Sequence, residues 1–190
     1  FELIARNPKI FCGYSDTTAL LSAIYSKTGM KTYMGPSYSS FKMEALQDYQ
    51  TESWLKAVSQ TSYELTPSEK WGDNAWYLPD APLTFHETEW KVYHHGQAQA
   101  TAIGGNLSTF SLLRGTPYAP TDENYVLFVE EAEEDDYVEF ERNLAALLQA
   151  YPNPQALLIG RFPKECQMTE ELLLYILDKH PILKQIPVLY

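Results

Sequence analysis

A serine followed by an aspartate, set between an apolar run and a helical pattern, is the stretch of this sequence best suited to do chemistry. The segment reads K-I-F-C-G-Y-S-D-T-T-A-L-L-S-A-I-Y-S-K-T-G from Lys9 to Gly29. Ile10, Phe11 and Cys12 predict a buried strand, Gly13 a break, and Ala19, Leu20, Ala23 and Ile24 a helix that Gly29 can stop. Ser15 then falls in the sharp turn, with its hydroxyl above the sheet edge beside helix-start N–H groups that have no partner inside the helix. An exposed oxygen next to donors for a developing oxyanion suits a nucleophile. The usual elbow has a second glycine two residues after the serine, where this chain has Thr17. The simpler alternative is a capped helix, with Asp16 and Thr17 as the capping residues.

Two other places share that geometry, with polar groups at the end of an apolar strand. Gly104-Gly105-Asn106 closes one strand and opens a helix over Leu107 to Arg114. It can be a phosphate nest, a tight strand–helix connection, or the source of an amide side chain for a substrate. Glu130 closes the apolar run Tyr125 to Val129 and heads eight carboxylates within residues 130–141. Most of these solvate a loop and complement the N-terminus of the next helix, although a metal site is conceivable. Glu130 follows the apolar run directly, so it should be partly buried and in need of a partner such as a histidine. Because successive strand residues face opposite ways, Glu131 could take its place. None of the four histidines, His86, His94, His95 and His180, is well placed as a base: one lies in a linker, two in a hairpin turn and one near a helix end.

The elements that must position these groups alternate between strand and helix, which predicts an α/β fold with largely parallel pairing. Lys31 to Pro36 reads as a short strand, Ser37 to Ser40 as a polar loop, Glu44 to Ser59 as one or two surface helices and Thr61 to Leu65 as a short strand. Ser68 to Leu83, with two prolines and Trp71 and Trp76, reads as a linker, so a boundary is placed there: residues 1–80 in a nucleophile domain and 81–190 in a second domain. Glu89 to Gly105 alternates as a hairpin turning at His94-His95-Gly96. Asp136 to Tyr151 is an amphipathic helix, Ala156 to Gly160 a strand, Thr169 to His180 a helix and Ile186 to Tyr190 a last strand.

Composition narrows the function classes. The chain has 190 residues, 45% hydrophobic and 21% charged, enough for a packed core. A net charge of −11 without a basic patch disfavours a nucleic-acid partner. No apolar run reaches membrane-spanning length, and no signal peptide is visible. Cys12 in an apolar run and Cys166 in a polar loop give neither a disulfide framework nor metal-ligand spacing, which fits a reducing cytoplasm. Phe1 begins and Tyr190 ends in mid-element, so both ends are read as cut relative to a natural protein.

Asn7-Pro8-Lys9-Ile10-Phe11 followed by Gly13-Tyr14-Ser15-Asp16 and Thr18 resembles the nucleophile segment of the LD-carboxypeptidase and microcin-immunity family of serine peptidases. Three more blocks occur in that family's order: Gly104-Gly105-Asn106-Leu107 with Leu113, Gly115 and Thr116; Leu127-Phe128-Val129-Glu130-Glu131 with Glu141-Arg142; and Leu158-Ile159-Gly160 with Ile186-Pro187-Val188. The resemblance implies a flavodoxin-like N-terminal domain carrying Ser15 and a C-terminal α/β domain carrying Glu130, both partial here. It implies a Ser-His-Glu triad, an oxyanion hole half made by the Asp16 backbone N–H, and Asn106 and Gly105 on the substrate side. It also implies a cytoplasmic homodimer that needs no metal or cofactor. The family's histidine follows the strand matching Ile186 to Tyr190, and its glycine-rich oxyanion loop precedes Phe1. These 190 residues alone are therefore expected to lack hydrolytic activity.

Pro67-Ser68-Glu69-Lys70-Trp71 and Asp73 to Trp76 resemble the microcin-immunity branch more closely, in which a tryptophan stacks on the nucleotide of an aminoacyl-adenylate analogue. Trp71 or Trp76 could stack this way, or simply pack the linker. Glu134 stands where that branch carries a substrate-contacting lysine. Two functions follow. One is a hydrolase that cleaves an amide in a peptidyl- or aminoacyl-nucleotide, or the L,D bond of a murein tetrapeptide. The alternative is a binding module that keeps the pocket and captures an acidic or nucleotide ligand without turnover.

Overall fold

Gly29 ends the first long helix, as its left-handed φ of +69° allows without side-chain strain. A computed structural model describes residues 1–72, 75–78, 80 and 82–190. Helix α1 (Glu2–Arg6) leads to β1 (Cys12–Gly13), α2 (Thr17–Thr28) and β2 (Tyr33–Met34), which lies parallel to β1. The opening strand is shorter than the apolar run predicts, and Ile10 is exposed. The buried side of α2 carries Thr18, Leu21, Ser22, Ala23 and Ile24, whereas the expected Leu20 faces solvent. Polar Thr18 takes an inward position because it has partners there, described below.

Ser37 to Ser40 enters a 3-10 turn (Tyr38–Lys42) rather than an open loop, followed by α3 (Gln47–Ser59), which has no buried residue. Thr61 to Leu65 forms no strand, since no neighbouring strand among the described residues offers it a ladder. The linker contains a short antiparallel pair, β3 (Lys70–Trp71) with β4 (His86–Glu87). The Asp73 and Pro79 of that linker lie outside the described residues.

Then come β5 (Val92–His94), β6 (Thr101–Asn106), α4 (Leu107–Ser111), β7 (Tyr125–Glu130), α5 (Tyr137–Ala150), β8 (Leu157–Ile159), α6 (Glu170–Asp178) and β9 (Val188–Leu189). The five strands form one sheet in the order β5-β9-β8-β7-β6, with β6 to β9 parallel and β5 antiparallel on β9. The predicted hairpin is therefore absent: β5 and β6 occupy opposite edges. Alternation showed that both are strands but carried no information about which strand each pairs with. His94 belongs to β5, where its ring Nδ1 lies 2.9 Å from the Ile186 carbonyl.

The core lies between this sheet and its helices, where Leu127, Leu157, Leu144, Leu147 and Leu177 are fully buried. Asp136 caps α5 by accepting from the N–H groups of Val138 and Glu139, and Thr169 caps α6 at Leu172. Each parallel strand thus ends at the same edge of the sheet, where crossover connections leave room for a ligand.

Candidate active site

Gly13-Tyr14-Ser15-Asp16 turns so sharply that Ser15 adopts a left-handed φ of +56°, strained for a side chain with a Cβ. Such strain at a strand–helix turn lifts the serine clear of the backbone on both sides. The turn is held by Thr17, whose hydroxyl donates to the Tyr14 carbonyl at 2.6 Å. A Cβ at Gly13 would stand 2.5 Å from that same hydroxyl, so Thr17 fills the space that a second glycine would leave open. The Ser15 hydroxyl has no partner among the described residues, and the Asp16 N–H is likewise unused there. Asp16 stands at the N-cap of α2 but accepts no cap bond. Its carboxylate instead accepts from the Thr109 hydroxyl at 3.1 Å, tying the turn to α4.

Helix α2 rests on the edge strand β6. The Asn106 N–H donates to the Thr18 hydroxyl at 3.0 Å, and a Cβ on Gly105 would lie 2.5 Å from the Thr18 methyl. Gly105 has a φ of +137° and Gly104 one of +143°. The glycine pair is thus a close-packed strand–helix joint. The Asn106 side-chain oxygen accepts from the Thr109 N–H at 3.0 Å and the Ser108 hydroxyl at 2.9 Å, capping α4. Asn106 is buried and occupies the register position opposite Glu130 on β7.

That register brings Glu130 to Ser15. The Ser15 backbone N–H faces the Glu130 carboxylate, partly offsetting the burial that raises its pKa. The neighbouring Glu131 points the other way and is only 6% exposed. Its two carboxylate oxygens find no donor among the described residues. The Asp135 carboxylate faces Glu131, a contact that only a shared proton makes favourable. Burial, then Asp135, Glu130 and Glu139, push the Glu131 pKa up to about 8. Cys166 is buried in a 3-10 turn rather than in a polar loop, and its thiol donates to the Ala132 carbonyl at 3.2 Å. Burial and the carboxylates Glu131, Asp135, Glu165 and Asp136 push that thiol up to about 11, which keeps it protonated and unreactive.

The folded chain therefore holds a proton on Glu131 that the unfolded chain releases near the ordinary value of 4.5. The stability associated with that proton is complete below about 4.5 and lost as pH rises through about 8. Glu131→Gln, which keeps the shape and cannot ionise, is expected to flatten the decline. Urea midpoints measured across that range test this, and an unchanged slope in the variant would count against the shared proton.

The remaining candidates divide. Trp71 on β3 stacks near His86 with ring centroids 4.9 Å apart and lies under the guanidinium of Arg161, 5.0 Å from the ring centre. Trp76 packs edge-on against Tyr77 and lines a separate pocket with Met43, Leu46, Leu83 and Phe85. Burial lowers the pKa of His180, whose Nε2 is buried without a partner among the described residues. No histidine joins Ser15 and Glu130 there. Arg161 was missed by sequence reasoning, although its place directly after the strand and Gly160 was a usable signal. No group of three His, Cys, Asp or Glu among the described residues could hold a metal ion.

Residues 1–35 match the LD-carboxypeptidase N-terminal domain and residues 99–190 the LD-carboxypeptidase C-terminal domain. The chain belongs to the LD-carboxypeptidase family. A putative carboxypeptidase of Bacillus subtilis, YocD, is 40% identical over 193 residues, covering 100% of this chain and 59% of the relative. The microcin C7 self-immunity protein MccF of Escherichia coli is 32% identical, covering 100% and 58%. A crystal structure of an MccF-like protein from Bacillus anthracis superposes with a TM-score of 0.94 at 38% identity, over 99% of this chain and 59% of that one. MccF in complex with aspartyl sulfamoyl adenosine superposes at 0.82 with 31% identity, over 99% and 60%. The mixed α/β structure of this chain thus matches part of the two-domain fold of these proteins, and the chain spans about 59% of the length of YocD. No helix among the described residues is long and apolar enough to cross a membrane.

Proposed function

We propose that the protein is a serine hydrolase in which Ser15 attacks an amide carbonyl. The observation that carries this reading is the left-handed Ser15 at a strand–helix turn, with the Glu130 carboxylate facing its backbone from a neighbouring strand end. In this reading the hydroxyl loses its proton to a histidine contributed from outside these 190 residues, and Glu130 fixes that histidine's tautomer. The Asp16 N–H supports the oxyanion of the tetrahedral intermediate, and the amine leaves after taking the proton back. Asn106 and Gly105 border the site as the joint that holds α2 in place. The division between nucleophile-bearing and glutamate-bearing parts falls near residue 80.

The substrate in this reading bears a carboxylate near the scissile amide: an aminoacyl-nucleotide of the microcin C type or a murein tetrapeptide. The complex of MccF with aspartyl sulfamoyl adenosine supports the first, and a Bacillus subtilis relative named as a probable murein peptide carboxypeptidase supports the second. A cytoplasmic homodimer acting on a small molecule or peptide accords with it. Intact mass spectrometry of the full-length protein treated with a fluorophosphonate tests the nucleophile. The expected result is one adduct, mapped to Ser15. Absence of any adduct, with aspartyl sulfamoyl adenosine still bound, would instead indicate a pocket that captures its ligand without turnover.

A further inference from the structure

Arg161 has no role in the chemistry described so far. It follows Gly160 at the end of β8, at the sheet edge where β7 ends in Glu130. The two strands are so close there that a Cβ on Gly160 would stand 3.2 Å from Glu130 Cβ. The Arg161 guanidinium lies over the Trp71 ring at 5.0 Å, and Trp71 is braced on its other contact by His86. No acidic residue among the described ones forms an ion pair with Arg161. That is notable in a chain with 25 acidic and 14 basic residues, whose carboxylates crowd the loop just after Glu130.

A guanidinium stacked on an indole satisfies its face and leaves its in-plane N–H groups pointing outward. Those groups form a fork that matches the two oxygens of a carboxylate or phosphate. Were packing on Trp71 its only task, a surface glutamate from the adjacent loop would be expected to close on it.

We propose that Arg161, held over Trp71 at the end of β8, anchors an anionic oxygen group of the substrate beside Ser15 and Glu130, and so sets the preference for acidic substrates. The inference rests on the hydrolase reading for its location but not for its test. The anion is either the free carboxylate flanking a peptide bond or the phosphate of a nucleotide. Both present the same pair of oxygens to the fork.

Binding separates the two sources. In the full-length protein carrying Ser15→Ala, so that nothing is turned over, calorimetry compares two probe pairs. One is a murein-type tetrapeptide with a free C-terminal carboxylate against its carboxamide, and the other is adenosine monophosphate against adenosine. Arg161→Met keeps an unbranched stem on Trp71 and removes the fork, and Arg161→Lys keeps the charge alone. The expected result is that Arg161→Met weakens the anionic member of one pair by about 10- to 100-fold while its neutral partner is unchanged. Arg161→Lys should recover part of that loss. The pair that responds identifies the group held. An equal loss for both members, an unchanged ratio in both pairs, or no anionic preference with Arg161 intact would each overturn the proposal. A failed fluorophosphonate reaction would remove the hydrolase reading while leaving this ratio to be judged on its own.

Discussion

Ser15→Ala in the full-length protein is expected to lower amide hydrolysis by on the order of 10⁴-fold or more, with affinity for the uncleaved substrate little changed. The magnitude follows from the role. A nucleophile acts only as the transition state forms, so its removal falls on kcat and spares ground-state binding. The fold should survive, because the Ser15 hydroxyl makes no hydrogen bond among the described residues and the turn is held by Thr17 and Asp16. Alanine adopts the positive φ of +56° no more easily than serine, so the strain at this position is unchanged. Turnover would be followed with a murein tetrapeptide and with an aminoacyl-nucleotide, beside a thermal melt to verify folding. A folded variant that hydrolyses both as fast as the unaltered protein would end the hydrolase reading.

Gly104→Ala should cost more stability than an added methyl group at any other glycine whose surroundings are described. A Cβ there would stand 1.8 Å from the Phe128 carbonyl oxygen, which is backbone on the paired strand and has no rotamer to retreat into. The φ of +143° adds a conformational penalty for any side chain. Either β6 separates from β7 or the joint carrying Asn106 shifts, and both disturb the register that sets Asn106 opposite Glu130. We expect a cost above about 3 kcal/mol, a drop of roughly 10 °C in Tm. Chemical denaturation measures it directly, and a cost under about 1 kcal/mol would mean that the strands are less tightly joined than described. Gly29→Ala provides the contrast, since a Cβ there meets nothing within 4 Å and only the φ of +69° opposes it.

The sources of these two effects differ in how far they can be read from the chain alone. The place of Ser15 in a strand–helix turn was legible because such a turn leaves local marks: an apolar run, a glycine, then a helical period stopped by Gly29. Glu130 was legible as a carboxylate ending a buried strand. The helices around Phe140, Leu144 and Leu147, and their caps Asp136 and Thr169, follow from spacing and hydrogen-bonding chemistry within a few residues. Four ordered blocks of residues carried the family.

What spacing along the chain cannot carry is pairing. Alternation in Val92 to Ile103 marks strands but not their partners, so a local hairpin was expected where the sheet places β5 and β6 on opposite edges. Cys166 looked like a loop residue because its neighbours are polar, and it is buried beside Ala132, which comes to it from elsewhere in the chain. Only the parallel ladder of β7 decides that Glu130 meets Ser15 while Glu131 turns to a buried place where no described residue donates to it, a distinction that one residue of slip would reverse. Arg161 and Trp71, ninety positions apart, become one feature only when β3 folds over the end of β8. By itself the sequence determined the chemistry available and the elements that carry it, because both rest on short-range geometry. The tertiary structure alone decided which groups meet, because contacts between distant residues depend on strand order and register, which no local periodicity encodes.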